Sequence, residues 1–184
     1  EVWVKWECHT EFVTYTAFVD DLGDAAFDGS EFAIFPAAWQ AAMPGTTLSS
    51  TSIRIEEDQD TQSIKDKLDG WFVSESLAAS RVLDRAAVIA GDYRMDGNGN
   101  MRFAVFVPAS TGRRRVGRIV QRLNEIEVYK TMSMLGLMRA RSLSVELNAV
   151  DTNLSALVAD LADDRISAEE NLNGLLKLSA DLEG

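Results

Sequence analysis

The chain has 184 residues, 46% of them hydrophobic and 26% charged, with a formal net charge of −11; this suits one domain with a sizeable core, or a domain with a helical extension, and excludes a low-complexity polypeptide. So acidic a surface repels nucleic acid and anionic membranes in general, no window approaches the ~20 apolar residues of a membrane-spanning helix, and no charged-then-apolar leader is present. The single cysteine, Cys8, cannot form an internal disulfide and excludes a zinc framework.

Residues 2–19 are rich in aromatic and β-branched types and lack Gly and Pro, which predicts one long or kinked strand in a central position. Alternation along it puts Trp6, Cys8, Phe12 and Phe18 on one face and Lys5, Glu7, His9 and Glu11 on the other. Asp20 to Ser30 is acidic and Gly-punctuated, so an exposed, mobile loop is expected. Pro36, then AAWQAAM, then Pro44-Gly45 predicts a short helix anchored by Trp39. Ser52 to Glu57 alternates as a strand, and Asp60 or Thr61 can cap a helix carrying Ile64, Leu68 and Phe72 at four-residue spacing, which should cover the sheet. Arg81 to Met95 and Met101 to Val107 read as β-runs joined by a tight DGNGN hairpin turn.

From Val116 to Leu161 nothing interrupts a helical pattern, and a continuous helix of that length spans ~70 Å. Its second half carries Leu143, Leu147, Val150, Leu154, Leu157 and Leu161 at alternating steps of four and three, a narrow stripe that calls for a partner helix. The stretch from Ile126 to Met138 is apolar nearly all round, which predicts burial on several sides, against the sheet or in a subunit interface. After Leu161 the segment ADDRI is a break, and Ser167 with Glu170 forms a capping box for a second helix, so an antiparallel helical hairpin follows.

Charge is banded along the chain. Residues 1–112 carry 8 basic and 18 acidic side chains (net −10), residues 113–141 carry 8 and 2 (net +6), and residues 142–184 carry 2 and 9 (net −7). Arg113, Arg114, Arg115, Arg118 and Arg122 open the long helix, where cations oppose the macrodipole. They form a candidate anion or partner patch, with the chain's own carboxylates as the first expected partner, anionic lipid headgroups second and nucleic acid last. Glu7, His9 and Glu11 could bind a divalent metal if they share a strand face, or His9 could act as a general base; a solvated strand face is the simpler reading, and no metal or other cofactor is assigned. Asp96, Asn98 and Asn100 imitate the start of a calcium loop, but Met101 and Val107 stand where Gly and Glu are required, so a hairpin turn is expected instead.

Several clusters carry a family resemblance: Trp6-Glu7 with His9-Thr10-Glu11-Phe12; Asp92-Tyr93-Arg94 with Asp96, Gly97 and Arg102; and Gly117-Arg118, Gln121-Arg122-Leu123 and Glu125-Ile126-Glu127 ahead of Tyr129. With these the chain resembles an uncharacterised bacterial family, domain of unknown function 3422, whose members are described as membrane-anchored. The sequence departs from the pattern at Cys8 (Arg expected), Asn124 (Leu expected) and Met138 (Pro expected), the last allowing the long helix to run on. The resemblance implies hydrophobic membrane segments elsewhere in the protein, and the first residue being Glu1 fits a processed or excised piece. It assigns no activity. It makes Glu7, His9, Glu11, Asp92, Arg94, Gln121 and Glu125 candidates for one polar patch.

The expected fold is α+β, an antiparallel or mixed sheet with covering helices over residues 1–112, then a long helix and helical hairpin over 113–184. The expected role is a non-enzymatic sensory or assembly domain of a bacterial membrane-anchored protein, in its cytoplasmic part, forming homo-oligomers through its helices and binding no nucleic acid. Two alternatives stand beside it. One is an accessory domain of a cation channel or transporter of CorA-like architecture. The other is a metal-dependent enzyme using the Glu7/His9/Glu11 face.

Overall fold

A computed structural model of the chain describes residues 1–20, 23, 25–84, 86–161 and 167–183. Its elements are β1 (Val2–Cys8), β2 (Val13–Val19), a 3-10 turn at Ser30–Ile34, α1 (Ala37–Ala42), β3 (Thr51–Glu57), α2 (Thr61–Trp71), β4 (Ala78–Val82), β5 (Ala87–Gly91), β6 (Met101–Val107), α3 (Arg113–Leu161) and α4 (Ala168–Glu183). The fold is α+β, and the chain divides into two compact units, Glu1–Tyr129 and Lys130–Gly184.

The first unit is built on a mixed four-stranded sheet in the order β3-β6-β5-β4, in which only the β3–β6 pair is parallel. β6 is central because MRFAVFV is apolar on both faces and can be buried from both sides. Met101, Phe103, Val105 and Val107 pack on one face with Ile119 and Leu123 of α3. Ala104 and Phe106 pack on the other with Ile64, Leu68 and Phe72 at the end of α2. α2 starts where expected, its Asp60 carboxylate accepting from the amides of Gln62 (3.4 Å) and Ser63 (3.0 Å) and so meeting two of the helix's open donors.

Residues 2–19 do not form one central strand. They fold as an antiparallel ribbon of β1 and β2, separate from the main sheet, with Cys8 opposite Val13. The His9 amide donates to the Phe12 carbonyl at 2.8 Å and closes a four-residue turn that no Gly or Pro announces. Likewise the run from Arg81 breaks into β4 and β5 at Leu83 and Asp84, both at positive φ (53° and 55°), a conformation usually signalled by Gly or Asn. β5 and β6 are antiparallel, as expected of a hairpin, but β5 ends at Gly91 and the connection runs from Asp92 to Asn100. The 20–30 stretch is not simply a free loop: Phe27 sits against Phe72 (5.4 Å) and Trp71 (5.8 Å). Asp21, Leu22 and Asp24 of that stretch lie outside the described residues.

In the second unit α3 continues without a break through Met138 to Leu161. The Ser167 capping box is present: the Glu170 amide donates to Ser167 Oγ (3.2 Å), and the Ser167 amide donates to Glu170 Oε2 (3.1 Å). Gly174 of α4 lies against Leu157 of α3, so closely that a Cβ there would be 2.5 Å from Leu157 Cδ2. The ADDRI break, on which the helical hairpin turns, falls at 162–166, outside the described residues. The all-round apolar stretch of α3 is not enclosed, with Ile126, Tyr129, Met134 and Met138 each more than half exposed.

Candidate functional site

The most constructed polar feature lies between β5 and β6. Arg102 is the one cation in the otherwise apolar MRFAVFV strand, and burying it requires a carboxylate beside it. That carboxylate is Asp92, 1% exposed, whose Oδ2 accepts from Arg102 Nη2 at 2.8 Å and from the Val73 amide at 3.1 Å. Its Oδ1 accepts from the Arg94 amide at 3.2 Å. The Arg102 guanidinium also covers the Phe72 ring at 5.5 Å, while its Nε is buried with no hydrogen-bond partner among the described residues. Arg94 turns outward, its Nε donating to Ser76 Oγ at 2.7 Å.

The loop that follows is closed by Asp96, whose Oδ1 accepts from the amides of Asn98 and Asn100, both at 2.8 Å. Burial would raise the Asp96 pKa, but these amides and the nearby Arg102 outweigh it and hold the carboxyl below its ordinary value. The Asp96 carboxylate is thus occupied by its own turn, as expected of a turn and not of a calcium loop.

The other members of the expected polar patch lie elsewhere. Glu7 is on β1, paired with Lys5 at 2.8 Å. His9 and Glu11 are in the turn after β1, and the His9 ring stacks on Phe12 at 4.4 Å. The alternation that would have aligned Glu7, His9 and Glu11 on one face therefore ends at Cys8. Among the described residues no group of three or more His, Cys, Asp or Glu side chains is placed to hold a metal ion. Gln121 and Glu125 pair with each other on the exposed side of α3, Gln121 Nε2 donating to Glu125 Oε1 at 2.8 Å. No hydrogen bond, ion pair or ring contact among the described residues joins these three places.

The five arginines are all exposed. Arg114, Arg118 and Arg122 recur every fourth residue, turned away from the buried Ile119 and Leu123. Their expected pairing with the chain's own carboxylates is not found, since no ion pair among the described residues includes any of the five.

One network has no counterpart in the sequence reading. Arg54 Nε donates to Glu56 Oε1 at 2.6 Å, and Lys67 Nζ bridges Glu56 Oε2 and Asp58 Oδ2, each at 2.8 Å. Arg54 and Lys67 lie over Trp71 and Phe106 at 5.4 and 5.7 Å, so the charged row roofs the aromatic side of the core. Burial raises the Glu56 pKa, but hydrogen bonds from Lys67 and Arg54 more than offset it, and the net shift is downward. Hydrogen bonds from Lys67 and Ser63 hold Asp58 well below the carboxylate range, and the Asp58 and Glu56 carboxylates in turn raise Lys67. The period-2 spacing of Arg54, Glu56 and Asp58 was the available signal; that Lys67 reaches them depends on how α2 crosses β3. A shallow depression of about 90 Å³ lies beside this row, lined by Asp58, Gln59, Arg81 and apolar side chains. Arg81 Nη2 donates to Thr61 Oγ1 at 3.0 Å, so its cation is already held at the rim.

Comparison with known families matches residues 1–184 to the family described as protein of unknown function (DUF3422). No curated protein and no solved structure matches the chain. The chain belongs, from residue 1 to residue 184, to the DUF3422 family.

Proposed function

We propose that this chain is a non-enzymatic assembly domain of a membrane-anchored bacterial protein, self-associating through α3 and α4. One observation carries the reading: from Lys130 onward none of the residues whose side-chain burial is described is buried. In proteins most of a helix's stability comes from packing an apolar face against something else and not from propensity. Yet Leu143, Leu147 and Leu154 of the heptad stripe are 41%, 64% and 44% exposed, and Leu172 and Leu176 of α4 are 56% and 59% exposed. α4 meets α3 at Leu157, and these three leucines of the stripe stay open. Heptad spacing is the pattern of a seam between helices, which favours another copy of the same stripe as the partner.

Membrane attachment rests on the family resemblance. Among the described residues no helix is long and apolar enough to cross a bilayer, so on this reading the anchor lies elsewhere in the protein, with this part on the cytoplasmic side. Light scattering coupled to size exclusion, across protein concentrations and with chelator or magnesium, tests the proposal. A defined oligomer is expected, indifferent to metal and reduced in size by Leu147→Glu with Leu154→Glu. A monomer at every concentration would refute it. A change of assembly on adding magnesium would support the cation-channel accessory role instead.

A further inference from the structure

The β1–β2 ribbon has two unlike faces. Register and alternation put Val2, Val4 and Trp6 beside Val19, Ala17 and Tyr15 on one face, with Cys8 and Val13 next toward the turn. None of these is charged. The opposite face holds Lys5 and Glu7, paired with each other, and the Trp3–Phe18 stack at 4.2 Å. On the uncharged face the ring contact is Tyr15 edge-on to Trp39 at 4.9 Å. Trp6 remains 67% exposed, Val2 54%, Val4 51% and Val13 45%.

We propose that this uncharged face is an interface between two copies of the chain, packed face to face about a two-fold axis with Trp6 and Tyr15 as anchors. A two-stranded ribbon is marginal in water until a second layer covers it. The open apolar area, roughly 500 Å², is near the upper end of what a monomer exposes; doubled across a two-fold it reaches the ~1,000 Å² at which specific interfaces begin. Two copies each carrying −11 repel, and a self-complementary contact needs a surface that brings no carboxylates together. This face meets that condition, and Trp and Tyr are the side chains that most often anchor protein interfaces. The contact uses β1 and β2, so it is separate from the helix seam proposed above, while sharing its premise that the chain self-associates.

Cys8 is exposed on the same face and serves as a local reporter. The test measures the rate at which a thiol reagent modifies Cys8 in the full chain, from low to high protein concentration, alongside light scattering. Expected are at least fivefold slower modification in the associated state, and association that strengthens with added salt as the mutual repulsion is screened. Trp6→Glu should weaken association at least tenfold and make the Cys8 rate independent of concentration. Val4→Lys should do the same and carries the test if circular dichroism shows the first variant misfolded. Self-association with an unchanging Cys8 rate would overturn this inference and leave the helix seam standing. A monomer at every concentration would overturn both.

Discussion

Replacing Asp92 by Ala strands three donors at once: the Val73 amide, the Arg94 amide and the Arg102 guanidinium. The guanidinium dominates the cost. Its partner is 1% exposed and the Arg102 side chain only 16% exposed, its guanidinium lying over Phe72, so little water reaches the place of the lost carboxylate. Breaking a buried pair from one side costs about 3–5 kcal/mol, a large share of the ~5–15 kcal/mol that holds a domain folded. Urea unfolding followed by fluorescence, with amide exchange at Phe103 to Phe106 as a local probe, should show the loss in the first unit. Combining Asp92→Ala with Arg102→Met removes the stranded charge and should recover more than half of it, since an apolar replacement of both partners is often nearly neutral. If Asp92→Ala alone changed stability by less than about 1 kcal/mol, the view of this pair as the lock between β5 and β6 would be wrong.

The Glu56–Lys67–Asp58 row makes two further predictions. Both carboxylates are depressed in the folded chain, so their contribution is present above the ordinary values of 4.5 and 3.8 and is lost as pH falls through the lower folded values. Lys67 is raised, so its contribution is complete below 10.5 and fades as pH rises past it. Urea midpoints measured from pH 7 down to 2 should fall in the acid range, and Lys67→Met should flatten that fall. An unaltered acid profile in the variant would show that Lys67 is not what holds the two carboxylates. Gly91→Val should lower the melting temperature by several degrees, because a Cβ there would be 2.8 Å from Phe103 Cδ1 and 3.0 Å from the Arg102 carbonyl, in a core that resists overpacking at roughly 1–3 kcal/mol. A variant as stable as the parent would mean that β5 and β6 can separate freely at this point.

Local chemistry was legible wherever one short stretch carried its own instruction. Asp60 capped α2, Pro36 opened α1, Ser167 and Glu170 capped α4, and the Asp96–Asn100 stretch folded as a turn. The turns without Gly or Pro were not legible. His9–Phe12 and Leu83–Asp84 are held by strand pairing on either side, and that pairing is a non-local fact. The candidate patch failed for the same reason. Once the ribbon folded back at His9, Glu7 and His9 no longer shared a run of alternation, and once Arg102 was buried it drew Asp92 into the core, away from the surface of α3.

The sequence by itself therefore determined the α+β class, most element starts, the acidic surface with its basic band and the heptad stripe of α3, because each depends on periodicity or composition within one segment. Only the tertiary structure decided that β6 is central, that the ribbon stands apart from the sheet, that Asp92 serves Arg102, and that the five arginines form no ion pair among the described residues. These depend on which segments meet. Burial of apolar surface, the main driving force of folding, is a property of that meeting and not of either segment alone.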